Sequence, residues 1–306
     1  MKPGTKEQAA IYRLDRTEVY DHWRNEKLSN APTRATDLLV EINDMNALSE
    51  AEHTELLKRC LNNNMVIYAC GKLSNDEAAA RTSAHNLNAH LGLHRLESHR
   101  SMGADGLVAI EVIDENAESR AGFIPYSDKP LSWHTDGYYN PTAARIKAMT
   151  LHCARPAPEG GDNALFDPEL AYIRLRDENL DYISALSHRR TLTIPAFCGE
   201  NGETRAQSVG PVFTWDRYTG NLHMRFTDRK RHIEWADNEL TREAIGFLRQ
   251  VLETDAHVLT YRLEAGQGLI CNNVLHNRSA FKDSQQTGET RLILRGRYLD
   301  RIEGTC

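Results

Sequence analysis

Short hydrophobic runs separated by polar or glycine-containing turns recur along most of the chain. Nine of them have the β-branched and aromatic composition that is typical of strands. They cover residues 65–70, 106–113, 146–153, 190–197, 210–215, 221–226, 257–263, 267–273 and 291–299. Because the runs do not alternate regularly with helical segments, they favour a two-sheet β-sandwich or jelly roll over a parallel α/β sheet.

Two segments have helical patterns. Residues 74–92 predict a helix with Ser74 as its N-cap and Gly92 at its end. A second helix is predicted from hydrophobic residues that recur every three or four positions: Ala244, Phe247, Leu248, Val251 and Leu252. We therefore expect a mainly β protein with inserted helices, of the α+β class.

No linker separates the predicted strands, so we expect residues 36–306 to form a single domain. Residues 1–35 are polar, with Tyr12, Tyr20 and Trp23 as the sizeable hydrophobic anchors. This pattern predicts an N-terminal arm that packs on the larger domain.

Composition narrows the functional classes. The 306 residues carry a net charge of −6 with acidic and basic residues interleaved, which gives no general attraction to nucleic acid or to anionic membranes. The basic stretch at 228–235 is a local exception. The hydrophobic runs are too short to cross a bilayer, and the N-terminus lacks a signal-peptide core, so we expect a cytoplasmic location.

Cysteine spacing and overall composition add two further expectations. The six cysteines lie far apart without a CxxC motif, which predicts neither disulfides nor a zinc knuckle. We expect a small-molecule ligand as the partner, while the oligomeric state, including a homo-oligomer, stays open.

The stretch LSWHTDGYYN at 131–140 contains two metal-ligand types one residue apart. Residues two apart on a strand point the same way, so His134 and Asp136 can face one point while Thr135 faces away. A polar strand end is the alternative interpretation. An imidazole and a carboxylate suit a divalent first-row metal, and a metal site would need a second histidine, because the common geometry is a facial triad of two histidines and one carboxylate.

His276 is the histidine that best completes such a triad. It follows the apolar run QGLICNNVL and opens the polar stretch LHNRSAF, which leads to another strand. His152 and His223 lie within hydrophobic strands, where a histidine is a hydrogen-bonded core residue or a partner of a metal ligand. The 140 residues between Asp136 and His276 require a fold that returns the chain to the same place.

The run RLILRGRYL at 291–299 carries a row of arginines. With a period of two, Arg291, Ile293, Arg295 and Arg297 share one face, opposite Leu292, Leu294, Gly296 and Tyr298. A solvated face on an outer strand is one interpretation. Near a metal site the same row indicates acidic ligands, since arginine binds carboxylates through two parallel hydrogen bonds.

Taken together, these motifs resemble the iron(II)- and 2-oxoglutarate-dependent dioxygenases of the taurine dioxygenase type, which include clavaminate-synthase-like enzymes. The resemblance extends from about Met65 to Leu299. WHTDGYY, PAPEGGDNALFD, LHNRSAF and RLILR follow one another in the family's order. The resemblance implies a jelly-roll dioxygenase domain, also called a double-stranded β-helix.

The resemblance also implies roles for individual residues. Iron(II) would be bound by His134, Asp136 and His276. Arg291 would bind the distal carboxylate of 2-oxoglutarate, and Arg295 would lie near this cosubstrate or an anionic substrate. Asn163 stands where the family has a threonine that contacts 2-oxoglutarate, which is a departure from the pattern.

The implied reaction uses iron(II), 2-oxoglutarate and O2. The default outcome is hydroxylation of an unactivated C–H bond with release of succinate and CO2, while desaturation and ring closure stay open. We expect a small carboxylate-bearing metabolite, such as an amino acid, as the substrate. Four residues are candidates for substrate contact: Tyr138, Tyr139, Arg225 and Arg297.

Two other functional classes compete with the oxygenase. A non-catalytic metabolite-binding protein on the same scaffold would be expected to have lost a metal ligand. A zinc hydrolase can use two histidines and an aspartate, but it does not explain the arginine row.

Overall fold

Six of the nine predicted hydrophobic runs form strands of two facing β-sheets, and the other three form strands of smaller sheets. The computed structural model describes residues 10–72, 76–98, 103, 105–113, 124–198, 204–283 and 290–305. The strands in these residues are, in chain order, β1 Leu39–Ile42, β2 Met65–Cys70, β3 Val108–Ile110, β4 Leu131–His134, β5 Ala148–Arg155, β6 Glu159–Gly160, β7 Asn163–Phe166, β8 Leu192–Ile194, β9 Phe197–Cys198, β10 Thr204–Arg205, β11 Ser208–Gly210, β12 Phe213–Trp215, β13 Leu222–Met224, β14 Glu234–Trp235, β15 Leu259–Tyr261, β16 Gln267–Cys271, β17 Leu275–Arg278, β18 Phe281–Lys282 and β19 Leu292–Tyr298. Each of the nine predicted runs contains a strand.

Helices contribute about as many residues as strands, so the architecture is mixed α/β rather than mainly β. The α-helices in the described part of the chain are α1 Thr17–Asn30, α2 Glu50–Asn63, α3 Glu77–His90, α4 Pro168–Glu178, α5 Leu180–Leu186 and α6 Glu239–Thr254. Helices α3 and α6 match the two predicted helices. None of the helices in these residues is both long and apolar enough to cross a membrane.

Local signals explain where the two predicted helices begin. The Asp76 side chain accepts hydrogen bonds from the backbone N–H groups of Ala78 and Ala79, whereas Ser74 lies outside the described residues. The Asn238 side chain accepts one from Thr241 at the start of α6. These bonds satisfy N–H groups that have no partner within the helix.

The larger sheet has six strands in the order β1-β2-β16-β5-β19-β3, and the smaller has four in the order β15-β7-β17-β4. Only the pair β1 and β2 is parallel among these neighbours. The two sheets pack face to face through one hydrophobic cluster, which includes Leu151, Ile293 and Leu165.

Helices cover the outer faces of both sheets. Leu294 on the larger sheet packs in one cluster with Leu56 of α2 and Leu87 of α3. On the smaller sheet, Phe166 and Leu275 pack in another cluster with residues of α4, α5 and α6. Because both faces of β19 are covered, all seven of its residues are buried, and the alternative of a solvated arginine face is wrong.

The N-terminal segment is joined to α4 by a buried ion cluster. The Lys27 Nζ atom lies 2.6 Å from Asp167 Oδ2 and 2.5 Å from Glu169 Oε2, and it donates a hydrogen bond to the Asn62 carbonyl. Burial alone would lower the pKa of Lys27, but the two carboxylates raise it. Tyr12, also buried, donates a hydrogen bond to Glu169. The division of the chain at residue 35 stays a prediction.

Replacing Lys27 tests how much this cluster stabilises the fold. The Lys27→Met substitution leaves Asp167 and Glu169 buried without their cation, so we expect the free energy of unfolding to fall by about 3 to 5 kcal/mol. Urea denaturation followed by circular dichroism measures this loss. Lys58→Met is the control, because Lys58 and its partner Glu55 are exposed and such a pair contributes about 1 kcal/mol or less. Equal losses in the two variants would contradict a role for the cluster.

Candidate metal centre

Two neighbouring strands bring the predicted metal ligands together. In the antiparallel pair β17 and β4, His276 lies directly opposite His134, and the centroids of their rings are 4.2 Å apart. Asp136 follows two residues after His134. One ligand atom from each of the three buried side chains lies within 4.8 Å of the other two. Strand pairing thus closes the 140-residue separation in sequence.

Backbone carbonyls orient both imidazole rings. The Nδ1 atom of His134 lies 2.8 Å from the Ser132 carbonyl oxygen, and that of His276 lies 2.9 Å from the Val274 carbonyl oxygen. A carbonyl oxygen only accepts, so each Nδ1 carries the hydrogen and each Nε2 keeps a lone pair. Burial and the neighbouring His276 lower the pKa of His134 to about 3, and burial lowers that of His276. Both rings are therefore neutral, as metal ligands must be.

Asp136 supplies the negative charge of the cluster. Burial favours the neutral acid, but the positive charges of Arg295 and Arg297 outweigh it and lower the pKa of this carboxyl group. Its Oδ1 atom lies 3.8 Å from His134 Nε2, and its buried Oδ2 atom has no hydrogen-bond partner in the described part of the chain. A buried, ionised oxygen without a partner is costly unless a cation binds it. Two imidazoles and this carboxylate therefore fit a divalent first-row metal.

Asn273 fixes the backbone of Asp136. Its side chain accepts a hydrogen bond from the Asp136 N–H and donates to the carbonyl oxygens of Asp136 and Ile146. Asn273 has a left-handed backbone with φ of 51°, which asparagine tolerates better than most residues. The turn after Asp136 is equally tight, since a Cβ on Gly137 would lie 2.5 Å from Ile146 Cγ1.

Sequence reasoning missed Asn273. Its signal is an asparagine pair at the end of an apolar strand, three residues before His276. The residue it holds lies 137 positions away along the chain.

Arg291 is a buried cation with a free donor. Its Nη1 atom has no hydrogen-bond partner among the described residues, and its guanidinium lies 5.0 Å from the centroid of the Phe281 ring. Burial lowers the pKa of Arg291 to about 10, so it stays charged at neutral pH. Gly161 approaches it closely, because a Cβ there would lie 3.6 Å from Arg291 Nε. A carboxylate on a bound ligand would satisfy both the charge and the donor.

Asn163 and Arg295 face the space between the sheets. Asn163 is buried and lies opposite Arg278 on β17, on the same face of the smaller sheet as His276. The Arg295 Nη1 atom lies 3.7 Å from Asp136 Oδ1, while its buried Nε atom has no hydrogen-bond partner in the described residues. Arg295 therefore helps keep Asp136 ionised.

Arg297, a predicted substrate contact, already has an acidic partner. It forms an ion pair with Glu97 and donates a hydrogen bond of 2.7 Å to the Tyr139 hydroxyl. Burial alone would lower the pKa of Arg297, but Tyr139, Asp136 and Glu97 raise it. Because Glu97 compensates this charge, Arg297 does not require an anionic substrate. Sequence reasoning missed Glu97, which lies beside the segment 99–102 outside the described residues.

Arg225, a predicted substrate contact, instead uses its guanidinium group to hold the backbone of neighbouring segments. All five of its N–H groups have acceptors, which are the carbonyl oxygens of Tyr138, Leu192, Gly210 and Ser208 and the Ser208 hydroxyl. A substrate would find no free donor on Arg225. Its hydrogen bonds hold the loop after Asp136 in place.

The two tyrosines after the metal pair do border the cluster. The Tyr138 ring stands edge-on to His134 at 6.4 Å, and the Tyr139 ring stands edge-on to Tyr138 at 5.1 Å. His152, by contrast, hydrogen-bonds and stacks on Tyr68, in the hydrophobic cluster on the outer face of the larger sheet. It is a core residue and not a partner of the metal ligands.

Comparisons with known proteins agree with this geometry. A family model described as "Taurine catabolism dioxygenase TauD, TfdA family" matches residues 25–298. A uridine-5'-phosphate dioxygenase from Amycolatopsis sp is 32% identical over 161 residues, which are 49% of this chain and 55% of that protein. The chain thus spans about half the length of this curated relative.

Solved structures show the fold. An asparagine oxygenase in complex with Fe(II), 3-hydroxyasparagine and succinate has a TM-score of 0.57 at 15% identity, with 96% of this chain and 90% of that chain covered. A non-heme iron oxygenase, OrfP, in complex with Fe and alpha-ketoglutaric acid has a TM-score of 0.60 at 17% identity, with 82% and 80% covered. At these identities the likeness concerns the fold alone.

Removing the Asn273 side chain tests its hold on Asp136. The Asn273→Gly substitution allows the left-handed backbone but loses three hydrogen bonds, so we expect metal affinity to fall by about 10- to 100-fold. Calorimetric titration with Mn(II) measures the dissociation constant.

The matched control for this substitution is Asn88→Ala. Asn88 is a buried asparagine of α3 that donates to Thr150 and Tyr298. This variant should lose stability and keep its metal affinity. A normal metal affinity in Asn273→Gly would contradict the proposed hold on Asp136.

Proposed function

The chain belongs to the taurine catabolism dioxygenase TauD, TfdA family, and on that premise we propose that it is an iron(II)- and 2-oxoglutarate-dependent oxygenase. It hydroxylates a C–H bond of a small anionic metabolite and releases succinate and CO2. The convergence of His134, Asp136 and His276 on one point is the observation that carries this proposal. We further propose that the two facing sheets are the double-stranded β-helix core of the family.

The three ligand side chains already have the protonation states that metal binding requires. His134 and His276 present neutral Nε2 atoms, because their Nδ1–H groups are held by backbone carbonyls. Asp136 presents a charged oxygen that has no hydrogen-bond partner in the part of the chain that the structure describes. A facial triad of this kind leaves coordination positions open for ligands that the protein does not supply. When bound, iron(II) and 2-oxoglutarate together supply the oxidising power for attack on a C–H bond.

Three side chains prepare the site for the cosubstrate, each in a different way: Arg291, Asn163 and Arg295. Arg291 binds the distal carboxylate of 2-oxoglutarate through its free Nη1–H group, in a buried setting where a charged hydrogen bond is strong. Asn163 donates its amide to the same molecule in place of the family's threonine. Arg295 keeps Asp136 ionised and oriented, since its guanidinium lies beside Oδ1.

Tyr138 and Tyr139 form the wall against which the substrate is held. Both rings are largely shielded from solvent, and Tyr138 is in edge contact with the ring of a metal ligand, His134. They exclude water and orient the C–H bond toward the metal. This positioning is the main task that the protein performs in such a reaction.

The relatives support an anionic substrate without naming it. The names of similar proteins include a uridine-5'-phosphate dioxygenase and an asparagine oxygenase, and both a nucleotide and an amino acid carry anionic groups. We extend this shared property to the present chain. A zinc hydrolase would use the same three ligands, but it would leave the free donor of Arg291 unexplained.

An anaerobic titration tests the metal and cosubstrate together. Iron(II) added with 2-oxoglutarate should give the weak visible charge-transfer band of a keto-acid chelate, which zinc does not give. His276→Ala should abolish the band because one of the three protein ligands is lost. His152→Ala, which removes a buried histidine on the outer face of the larger sheet, should retain it. A wild-type protein without the band would refute the proposed function.

Arg291 separates cosubstrate binding from metal binding. In Arg291→Gln we expect the dissociation constant of 2-oxoglutarate to rise about 30-fold or more, because a buried charge pair worth about 2 kcal/mol or more is lost. Titration of the same visible band with 2-oxoglutarate measures this constant. Mn(II) affinity should stay within about twofold of wild type, and unchanged 2-oxoglutarate affinity would exclude the assigned role.

A further inference from the structure

The loop after the metal pair, residues 137–140, is surrounded by arginines that lack acidic partners. Three of them contact its tyrosines: Arg205, Arg225 and Arg229. In the described part of the chain, no carboxylate oxygen lies within 4.0 Å of any of these guanidinium groups. Arg297 of β19 also contacts this loop, through Tyr139, but it differs because Glu97 neutralises it. Positive charge therefore accumulates beside the substrate wall.

Arg229 lies close to the metal ligands, two residues after a position that is paired with one of them. Thr227 forms an antiparallel bridge with His134, so the side chains of these two residues share one face. Arg229 follows two positions later, outside any strand, and reaches the tyrosine that borders His134. Its Nη1 atom donates a hydrogen bond of 3.0 Å to the Tyr138 hydroxyl. The basic stretch at 228–235 thus contributes one cation to the surroundings of the metal ligands.

Arg205 approaches the same loop from a separate hairpin. It lies on β10, and its guanidinium is 5.3 Å from the centroid of the Tyr139 ring and 6.0 Å from that of Phe197. Its Nη2 atom donates to the Pro195 carbonyl, while its buried Nε atom has no hydrogen-bond partner among the described residues. The two rings hold the guanidinium in place and leave a donor for a ligand.

The iron and the cosubstrate do not balance these charges. Iron(II) cancels the two negative charges of 2-oxoglutarate, and Asp136 offsets only one of the nearby Arg291 and Arg295. Arg225 uses all its donors on the backbone and on Ser208. Arg205 and Arg229 are left as two cations with remaining N–H groups. Both side chains are half-buried, and a partly dehydrated guanidinium group without an acidic partner favours the binding of an anion.

Resting on the proposed function, we propose that Arg205 and Arg229 bind the phosphate group of the substrate, which is accordingly a phosphate monoester. A monoester carries close to two negative charges at neutral pH, whereas a carboxylate carries one. Its three terminal oxygens accept several hydrogen bonds, and arginine matches phosphate geometry through paired N–H groups. The Tyr138 and Tyr139 rings then separate the phosphate from the metal and set which carbon faces it.

Binding of simple anions tests this assignment without knowledge of the full substrate. The protein is loaded anaerobically with iron(II) and 2-oxoglutarate, so that Arg291 is occupied. It is then titrated calorimetrically with methyl phosphate, inorganic phosphate or acetate at constant ionic strength set with chloride. We expect methyl phosphate to bind at least about tenfold more tightly than acetate, because two guanidinium groups favour the dianion.

Matched substitutions identify the residues responsible. Arg205→Gln and Arg229→Gln should each weaken methyl phosphate binding by about tenfold or more, equivalent to about 1.4 kcal/mol. Arg205→Lys should recover part of the affinity because it keeps the charge. Arg217→Gln, which removes an exposed arginine, should bind methyl phosphate as the wild type does. The visible chelate band should persist in every variant, which shows that each one is folded.

Several outcomes would overturn the proposal. Absence of methyl phosphate binding, binding of acetate as tight as that of methyl phosphate, or unchanged affinity in both glutamine variants would each do so. Binding of inorganic phosphate alone would indicate a site for the free ion and not for a substrate ester. A protein that shows the chelate band but fails these tests keeps its proposed function and loses only the phosphate site.

Discussion

The pairing of His134 with His276 across β4 and β17 is the constraint on which the whole site depends. Side chains alternate between the two faces of a strand, so a slip of one residue in this pair would turn one imidazole away from the other. The register is held by hydrophobic residues on the outer face, where Leu275 of β17 and Trp133 of β4 pack in the helix-covered cluster. Burial of one face therefore positions the polar side chains of the other. The hydrophobic core and the metal ligands are two consequences of a single register.

Strand register alone does not position Asp136, which lies just beyond β4. Asn273 supplies the missing constraint, because its side chain holds both the N–H and the carbonyl of Asp136. Asn273 itself lies between β16 and β17, close to His276, so one short segment fixes two of the three ligands. Gly137 then turns the chain sharply and brings Tyr138 and Tyr139 back beside the metal ligands. The tight backbone at Asn273 and Gly137 thus places the metal ligands and the two tyrosines next to each other at the end of the strand pair.

Sequence patterns identified those parts of the site that depend on local periodicity. The His-x-Asp pair and the arginine row follow from a period of two, and His276 was selected by its position between an apolar run and a polar stretch, in agreement with the family resemblance. The capping box formed by Ser49 and Glu52 at the start of α2 is also readable in the sequence, although we predicted no helix there. Local sequence patterns do not show which side chains become partners when distant segments meet in the fold. Arg225 and Arg297 looked equivalent to free arginines, but backbone carbonyls satisfy one and Glu97 neutralises the other. Those acceptors come from segments far apart in sequence, and no local pattern indicates them.

The electrostatics of the site follow from this distribution of partners. Along residues 291–297, Arg291 keeps a donor without a partner among the described residues, Arg295 faces the charged metal ligand Asp136, and Arg297 is neutralised by Glu97. One short stretch of chain thus provides three guanidinium groups in three different environments. Each is buried, so leaving its positive charge without an anionic partner would be costly. The cosubstrate's carboxylate contacts the first and the metal ligand contacts the second, so each of these two guanidinium groups has an anionic partner other than the substrate. The substrate instead meets the positive charges of Arg205 and Arg229, which lie on other segments of the chain. The choice of substrate is therefore decided by segments outside the strands that build the metal centre, which allows one metal centre to serve different substrates.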